Sequence, residues 1–127
     1  MSSRPIPDNV LQFVSERIDT VPQMEALLLL WENQTRAWDE DEIGARIYVT
    51  PDVAAEIMRT LQRRQLIHAD GVNRYRYNPA WDRTGVLMAQ VATEYRRHLV
   101  AMATLIHSKA PSSVREFARA FDLKKER

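Results

Sequence analysis

The fold is decided by residues 50–77, whose sequence is TPDVAAEIMRTLQRRQLIHADGVNRYRY. This stretch opens with two signals that start a helix, because Thr50 is a favourable N-cap and the proline after it suits the first helical turn. Val53, Ile57 and Leu61 then recur four residues apart, which is the spacing of a single helical face. We therefore expect a helix that turns these three side chains inward.

The chain after this helix has the two-residue period of a strand. Residues 66–67 are a short apolar run, and the Asp70-Gly71 pair is a strong signal for a hairpin turn. Arg74 and Arg76 alternate with tyrosines behind the turn, so both arginines are expected on the same face of the second strand. The sequence therefore predicts a two-stranded β-hairpin with a basic outer face.

Three helices are expected before this stretch. Residues 10–18 carry an apolar stripe, and Thr20 with Gln23 has the pattern of a capping box in front of a second helix. That second helix, residues 24–31, is apolar on most sides, which is typical of a helix in the middle of a fold. A short third helix is expected to start near Asp39.

The resulting order of helix, helix, short helix, helix and hairpin resembles the winged helix-turn-helix domain of bacterial transcription regulators. The residues that carry this resemblance are 24–31, 38–47, 50–67 and 68–77. The chain is also similar to a poorly characterised group of bacterial winged-helix proteins, through residues 21–30, 75–77 and 117–123. The resemblance implies a mainly α-helical fold with a small β-hairpin wing, and it places the winged helix-turn-helix domain in residues 1–80.

A long helix is expected after this domain. Residues 82–107 contain no proline, and a continuous helix over them would be about 38 Å long. A compact domain cannot cover that length, so we expect the helix to pack on a second copy, as winged-helix regulators commonly dimerise to meet two half-sites. The alternative is a helix folded back along its own domain. The expected dimer contacts are Leu87, Val91, Leu99, Met102 and Ile106.

Residues 81–127 are accordingly expected to be a helical dimerisation segment. A second capping box occurs towards its C-terminal end. Ser113 and Glu116 have the spacing of that motif, which predicts a short terminal helix after Pro111. Phe117 and Phe121 would lie on one face of it, together with Val114.

Composition limits the class of protein. The chain has 127 residues, of which 45% are hydrophobic, and its formal net charge is +1. These values fit one globular domain and exclude a chain that is mainly disordered. There is no cysteine, so a disulfide scaffold is excluded. The longest apolar run, residues 26–31, is far shorter than the ~20 residues of a membrane span. The N-terminal residues lack the apolar stretch of a secretory signal, so we expect a cytoplasmic protein with no membrane contact.

The small net charge conceals an uneven distribution. Residues 38–58 hold one basic and six acidic side chains, a net charge of −5, whereas residues 59–79 hold five basic and one acidic, a net charge of +4. A basic face of this kind attracts polyanions even when the whole molecule is nearly neutral.

The resemblance and the charge pattern together predict double-stranded DNA as the partner and a regulator-like function. The arginines would bind phosphates, and Thr50 would bind a phosphate at the start of its helix. The expected DNA contacts are Thr50, Arg59, Arg63, Arg64, Arg74 and Arg76. This prediction requires that the arginines point outward and are not held in ion pairs within the fold.

Two alternatives remain open at this point. Asp52 and Glu56 lie on the outward side of the same helix and repel phosphate, so that face is equally consistent with a solvated, purely structural surface. The second alternative is a protein-interaction adaptor that keeps the winged-helix scaffold but has no DNA affinity. In that case the acidic surface of residues 39–56 would bind a basic protein.

No pattern indicates catalysis, a cofactor or a metal. The four acidic residues 39–42 suit the start of a helix, where the helix dipole favours negative charge. His68, His98 and His107 are too far apart in sequence for a zinc motif. Phosphate-binding loops and nucleophile motifs are absent from the sequence, so we expect no enzyme activity.

Overall fold

The computed structural model describes residues 5–108, which form a mainly helical fold with a small antiparallel sheet. In chain order the elements are α1 (Asp8–Arg17), α2 (Val21–Glu32), β1 (Trp38–Asp39), α3 (Glu40–Ile47), α4 (Pro51–Arg63), β2 (Ile67–Ala69), β3 (Arg74–Tyr77), α5 (Val86–Arg97) and α6 (Leu99–Ser108). A short 3-10 turn, Pro79–Trp81, connects β3 to the α5 region.

Helix α2 is the centre of the fold. The Thr20 hydroxyl oxygen accepts a hydrogen bond from the Gln23 backbone N–H at 3.2 Å, which confirms the predicted cap. All five residues from Ala26 to Leu30 are buried, and five consecutive residues cover the whole circumference of a helix. An apolar helix with this burial on several sides is held by neighbours all round it, as its sequence predicted.

The sheet has three strands, one more than the two-stranded hairpin that the sequence predicted. The strand order is β1-β3-β2, with both pairs antiparallel. Trp38 of β1 pairs with Tyr75, and Ile67 of β2 pairs with Tyr77. The third strand was missed because a segment of only two residues, Trp38–Asp39, is too short to show an alternating pattern.

The continuous helix expected over residues 82–107 is wrong, because the chain forms α5 and α6 with a break between them. His98, at the break, has the non-helical backbone angles φ −127° and ψ 49°. Helix α6 packs against both α1 and α2, and its Met102 and Ile106 side chains are fully buried. The fold-back alternative is therefore the one that this part of the chain adopts.

One hydrophobic cluster runs through the described residues. It includes Val10 of α1, Leu27 of α2 and Met88 of α5, so residues from both sides of position 80 share it. The division of the chain at residue 80 stays a prediction, and the terminal helix expected after Ser113 lies outside the described residues. Within residues 5–108, no helix is long and apolar enough to cross a membrane.

Candidate nucleic-acid interface

A tight turn positions α4 against α3. Gly44 lies in α3 where any β-carbon would come within 2.7 Å of the Val49 carbonyl oxygen, so a larger residue would push the turn apart. Tyr48 then takes a left-handed conformation with φ 63°, and its side chain is 92% exposed. Helix α4 begins at Pro51 with the predicted cap, since the Thr50 hydroxyl oxygen accepts from the Val53 N–H at 3.2 Å. That oxygen is therefore already engaged within the fold.

The inward face of α4 is rotated from the expected one. Ile57 and Leu61 are buried as predicted, together with Ala54 and Met58. Val53 is 44% exposed, so its predicted inward position is wrong. The small Ala54 side chain faces the core at the first turn in its place.

The outward face of α4 carries opposite charges in its two halves. Asp52 and Glu56 are exposed in the first two turns, and Arg59 and Arg63 are exposed in the second half. Neither arginine takes part in an ion pair formed within residues 5–108. These two guanidinium groups are the candidate phosphate contacts with the fewest internal partners.

Arg64 does not belong to the candidate interface, which corrects the sequence prediction. Its guanidinium forms a salt bridge with Asp19 at 2.7 Å, and these side chains are only 20% and 10% exposed. It also donates to the Arg17 carbonyl oxygen at 2.6 Å, and Arg17 donates to the Arg64 carbonyl oxygen at the same distance. The group joins the end of α4 to the end of α1, so it cannot reach a phosphate without breaking this contact.

The two hairpin arginines lie on one face as expected, but they differ in how firmly contacts within the fold hold them. Arg74 is exposed and donates one long hydrogen bond, 3.4 Å, to the Ala37 carbonyl oxygen. Arg76 is held more firmly, because it forms an ion pair with Asp70 and donates to the Gln34 carbonyl oxygen at 2.9 Å. Arg74 is therefore the more available of the pair.

The acidic start of α3 is mostly satisfied within the fold. Asp39 and Glu42 form a reciprocal capping box, with hydrogen bonds of 2.8 and 2.9 Å to each other's backbone N–H. Glu40 accepts from the Tyr75 hydroxyl at 3.1 Å. Asp41 is exposed. The exposed acidic surface of residues 39–56 is thus smaller than the sequence suggested, and no cluster of metal-binding side chains occurs in residues 5–108.

Hydrogen bonds and burial shift the pKa of two groups here. The Asp39 backbone N–H and the Arg36 guanidinium both stabilise the ionised Glu42, which lowers the pKa of its carboxyl group below 4.5. Burial, and then the hydrogen bond to Glu40, raise the pKa of the Tyr75 hydroxyl. Both groups therefore keep their ordinary charge at neutral pH, so neither behaves as a proton-transfer group.

The sequence analysis missed a cluster of cations around Trp38. The Arg36 guanidinium lies 3.7 Å from the centre of the Trp38 ring, and that of Arg46 lies 5.2 Å from it. Arg36 also forms a salt bridge with Glu42 at 2.7 Å. A lone tryptophan in a mostly polar segment was the only signal in the sequence, and it did not identify the partners.

The expected dimer contacts are divided by the break at His98. Val91, Met102 and Ile106 are fully buried in the chain's own core, so they have no surface left for a second copy and are wrong as interface residues. Leu87 is half-buried against that core. Leu99 is 50% exposed and is the one of the five with substantial free surface.

Comparison of the chain with protein-family models, curated proteins and solved structures found no match.

Proposed function

We propose that this protein is a DNA-binding module of the winged helix-turn-helix type. The order α2, β1, α3, α4, β2, β3 and the strand order β1-β3-β2 support the proposal, since they match what is expected of a helix-turn-helix followed by a β-hairpin wing. In this arrangement α4 would lie in the major groove, and the turn between β2 and β3 would lie over the adjoining backbone.

The observation that carries the proposal is the pair of exposed arginines one turn apart on α4. Arg59 and Arg63 face solvent on the same side, outside every ion pair found in residues 5–108. Arg74 on the wing adds a third exposed cation. Contacts to phosphate need cationic side chains with few competing partners, and these three meet that requirement.

The charges on α4 also indicate what kind of DNA binding to expect. Asp52 and Glu56 occupy the half of the helix that enters the groove in related arrangements, and carboxylates there suit only the amino group of cytosine. The proposal is therefore phosphate-dominated binding with little discrimination between sequences.

A salt series on a mixed-sequence duplex tests the proposal. Three phosphate contacts predict that the logarithm of the affinity falls against that of salt with a slope of about −3. The double variant Arg59→Ala/Arg63→Ala should reduce that slope by about 2. Arg97→Ala, which removes an exposed arginine of α5, is the matched control and should leave the slope unchanged. Absence of binding at low salt by a folded protein would refute the proposal.

A protein-interaction adaptor is the second candidate, favoured by the exposed carboxylates of Asp41, Asp52 and Glu56. It predicts binding to a lysine-rich peptide by a protein that does not bind DNA. The variant Asp52→Asn/Glu56→Gln should then lose the peptide, whereas the same changes on α1, Asp8→Asn/Glu16→Gln, should not. Neither candidate involves catalysis or a cofactor.

The predicted homodimer stays part of the first proposal, because two copies would present two recognition helices to one duplex. Its surface is now limited to the start of α6, where Leu99 and Val100 are 50% and 78% exposed.

A further inference from the structure

An open groove runs beside α4. It has a volume of about 680 Å³ and lies between the start of α2, the flank of α4 and the end of α6. Apolar side chains line part of it: Val21, Pro22, Val53 and Ile57. Val53, the residue whose spacing predicted an inward position, is 44% exposed there. Covering this exposed apolar wall with another apolar surface is favourable, because it removes both surfaces from water.

The described part of the chain ends at this groove. His107 is one of the residues that line it, and Ser108 is the last residue of α6. Nineteen residues, 109–127, follow in the sequence. The chain therefore leaves α6 beside an apolar surface that it has the length to cover.

Those nineteen residues contain the apolar side chains that are needed to cover the apolar wall of the groove. Val114, Phe117 and Phe121 recur at helical spacing behind the Ser113-Glu116 capping box. The five residues 109–113 can span up to about 17 Å when extended, which is enough to reach along the groove from Ser108.

We propose that residues 109–127 dock in this groove, with Phe117 and Phe121 covering Val53. A segment joined by so short a linker has a high effective concentration at the site, which favours it over a separate molecule. Glu56 also lines the groove and can pair with a segment that holds six basic and three acidic residues. The docked segment would cover the side of α4 next to Arg63. Any effect on DNA binding rests on the proposed function, but the docking does not.

Cysteine labelling tests the docking in the full-length chain, which has no cysteine of its own. Val53→Cys places a thiol on the wall of the groove. With the further changes Phe117→Ser/Phe121→Ser, that thiol should react with a thiol reagent about fivefold faster or more, because the cover is lost. Val72→Cys, at the hairpin tip and 87% exposed, is the control and should react equally fast in both backgrounds.

Equal rates at Val53→Cys in the two backgrounds would overturn the proposal. Protection that grows with protein concentration would overturn it as well, because the segment would then cover a second copy. Should Val53→Cys fold poorly, Thr60→Cys on the same groove gives the same comparison. As a positive result, oxidation of Val53→Cys/Phe117→Cys should give a disulfide within one chain, at monomer mass.

Discussion

Charged side chains in this protein differ in how many partners they have within the fold, and Arg64 with Asp19 is the most buried arginine–carboxylate pair among the described residues. Arg64→Ala would leave the Asp19 carboxylate, 10% exposed, without its cation and the Arg17 carbonyl without a donor. We expect the free energy of unfolding to fall by about 2–4 kcal/mol. Urea denaturation measures this value, and Arg63→Ala should change it by less than about 0.5 kcal/mol. Equal losses of stability for the two variants would contradict a structural role for Arg64.

The carboxylates of α4 should weaken DNA binding. Asp52 and Glu56 are exposed on the same helix as Arg59 and Arg63, so their charges repel the phosphates that the arginines attract. Asp52→Asn/Glu56→Gln should therefore raise the affinity for mixed-sequence DNA about threefold to tenfold at low salt, with a smaller gain as salt screens the charges. Fluorescence anisotropy with a labelled duplex measures the affinity, and Asp8→Asn/Glu16→Gln on α1 is the control. A loss of affinity would show that these carboxylates contact the DNA.

At the scale of elements, the cap of α3 should make stability depend on pH. The hydrogen bonds of Glu42 lower the pKa of its carboxyl group from 4.5, so they stabilise the folded state above that pH. This contribution is lost as the pH falls below 4.5 and through the lowered pKa. Glu42→Ala should thus unfold at lower urea concentration than the unchanged chain at neutral pH, and the two midpoints should converge in acid. Asp41→Ala removes an exposed carboxylate of the same turn, and a similar convergence for it would contradict this explanation.

The starts of α2, α3 and α4 were predictable from sequence, whereas the break between α5 and α6 was not. Thr20, Asp39 and Thr50 each form the cap that their sequence pattern predicts, because capping depends on side chains within three residues. His98 carries no proline or glycine signal, and the break there is accompanied by the burial of Met102 in the core. Arg64 was misplaced for a similar reason, since its partner Asp19 is 45 residues away. Sequence patterns that span a few residues cannot predict contacts between residues so far apart in the chain.

The folded-back position of α6 gives a further prediction. Met102 is fully buried, while Val100, two residues earlier, is 78% exposed. Met102→Ala should lower the free energy of unfolding by about 2–5 kcal/mol because it opens a cavity, and Val100→Ala should have almost no effect. The cost at Met102 should be the same at all protein concentrations. A cost that appears only when the protein is concentrated would place Met102 between two copies instead.

For the molecule as a whole, the start of α6 is the surface at which two copies would associate, since the predicted long helix is replaced by α5 and α6. Leu99 lines a groove of about 410 Å³ together with Leu29 of α2 and Ile47 of α3, so a partly apolar surface remains on this side. If that surface joins two copies, the unchanged chain sediments as a dimer at micromolar concentration, and Leu99→Asp/Val100→Asp sediments as a monomer because two buried charges are too costly. Val72→Asp at the hairpin tip should stay dimeric. A monomer of the unchanged chain would remove the second copy from the proposal, and each protein would then meet DNA through a single recognition helix.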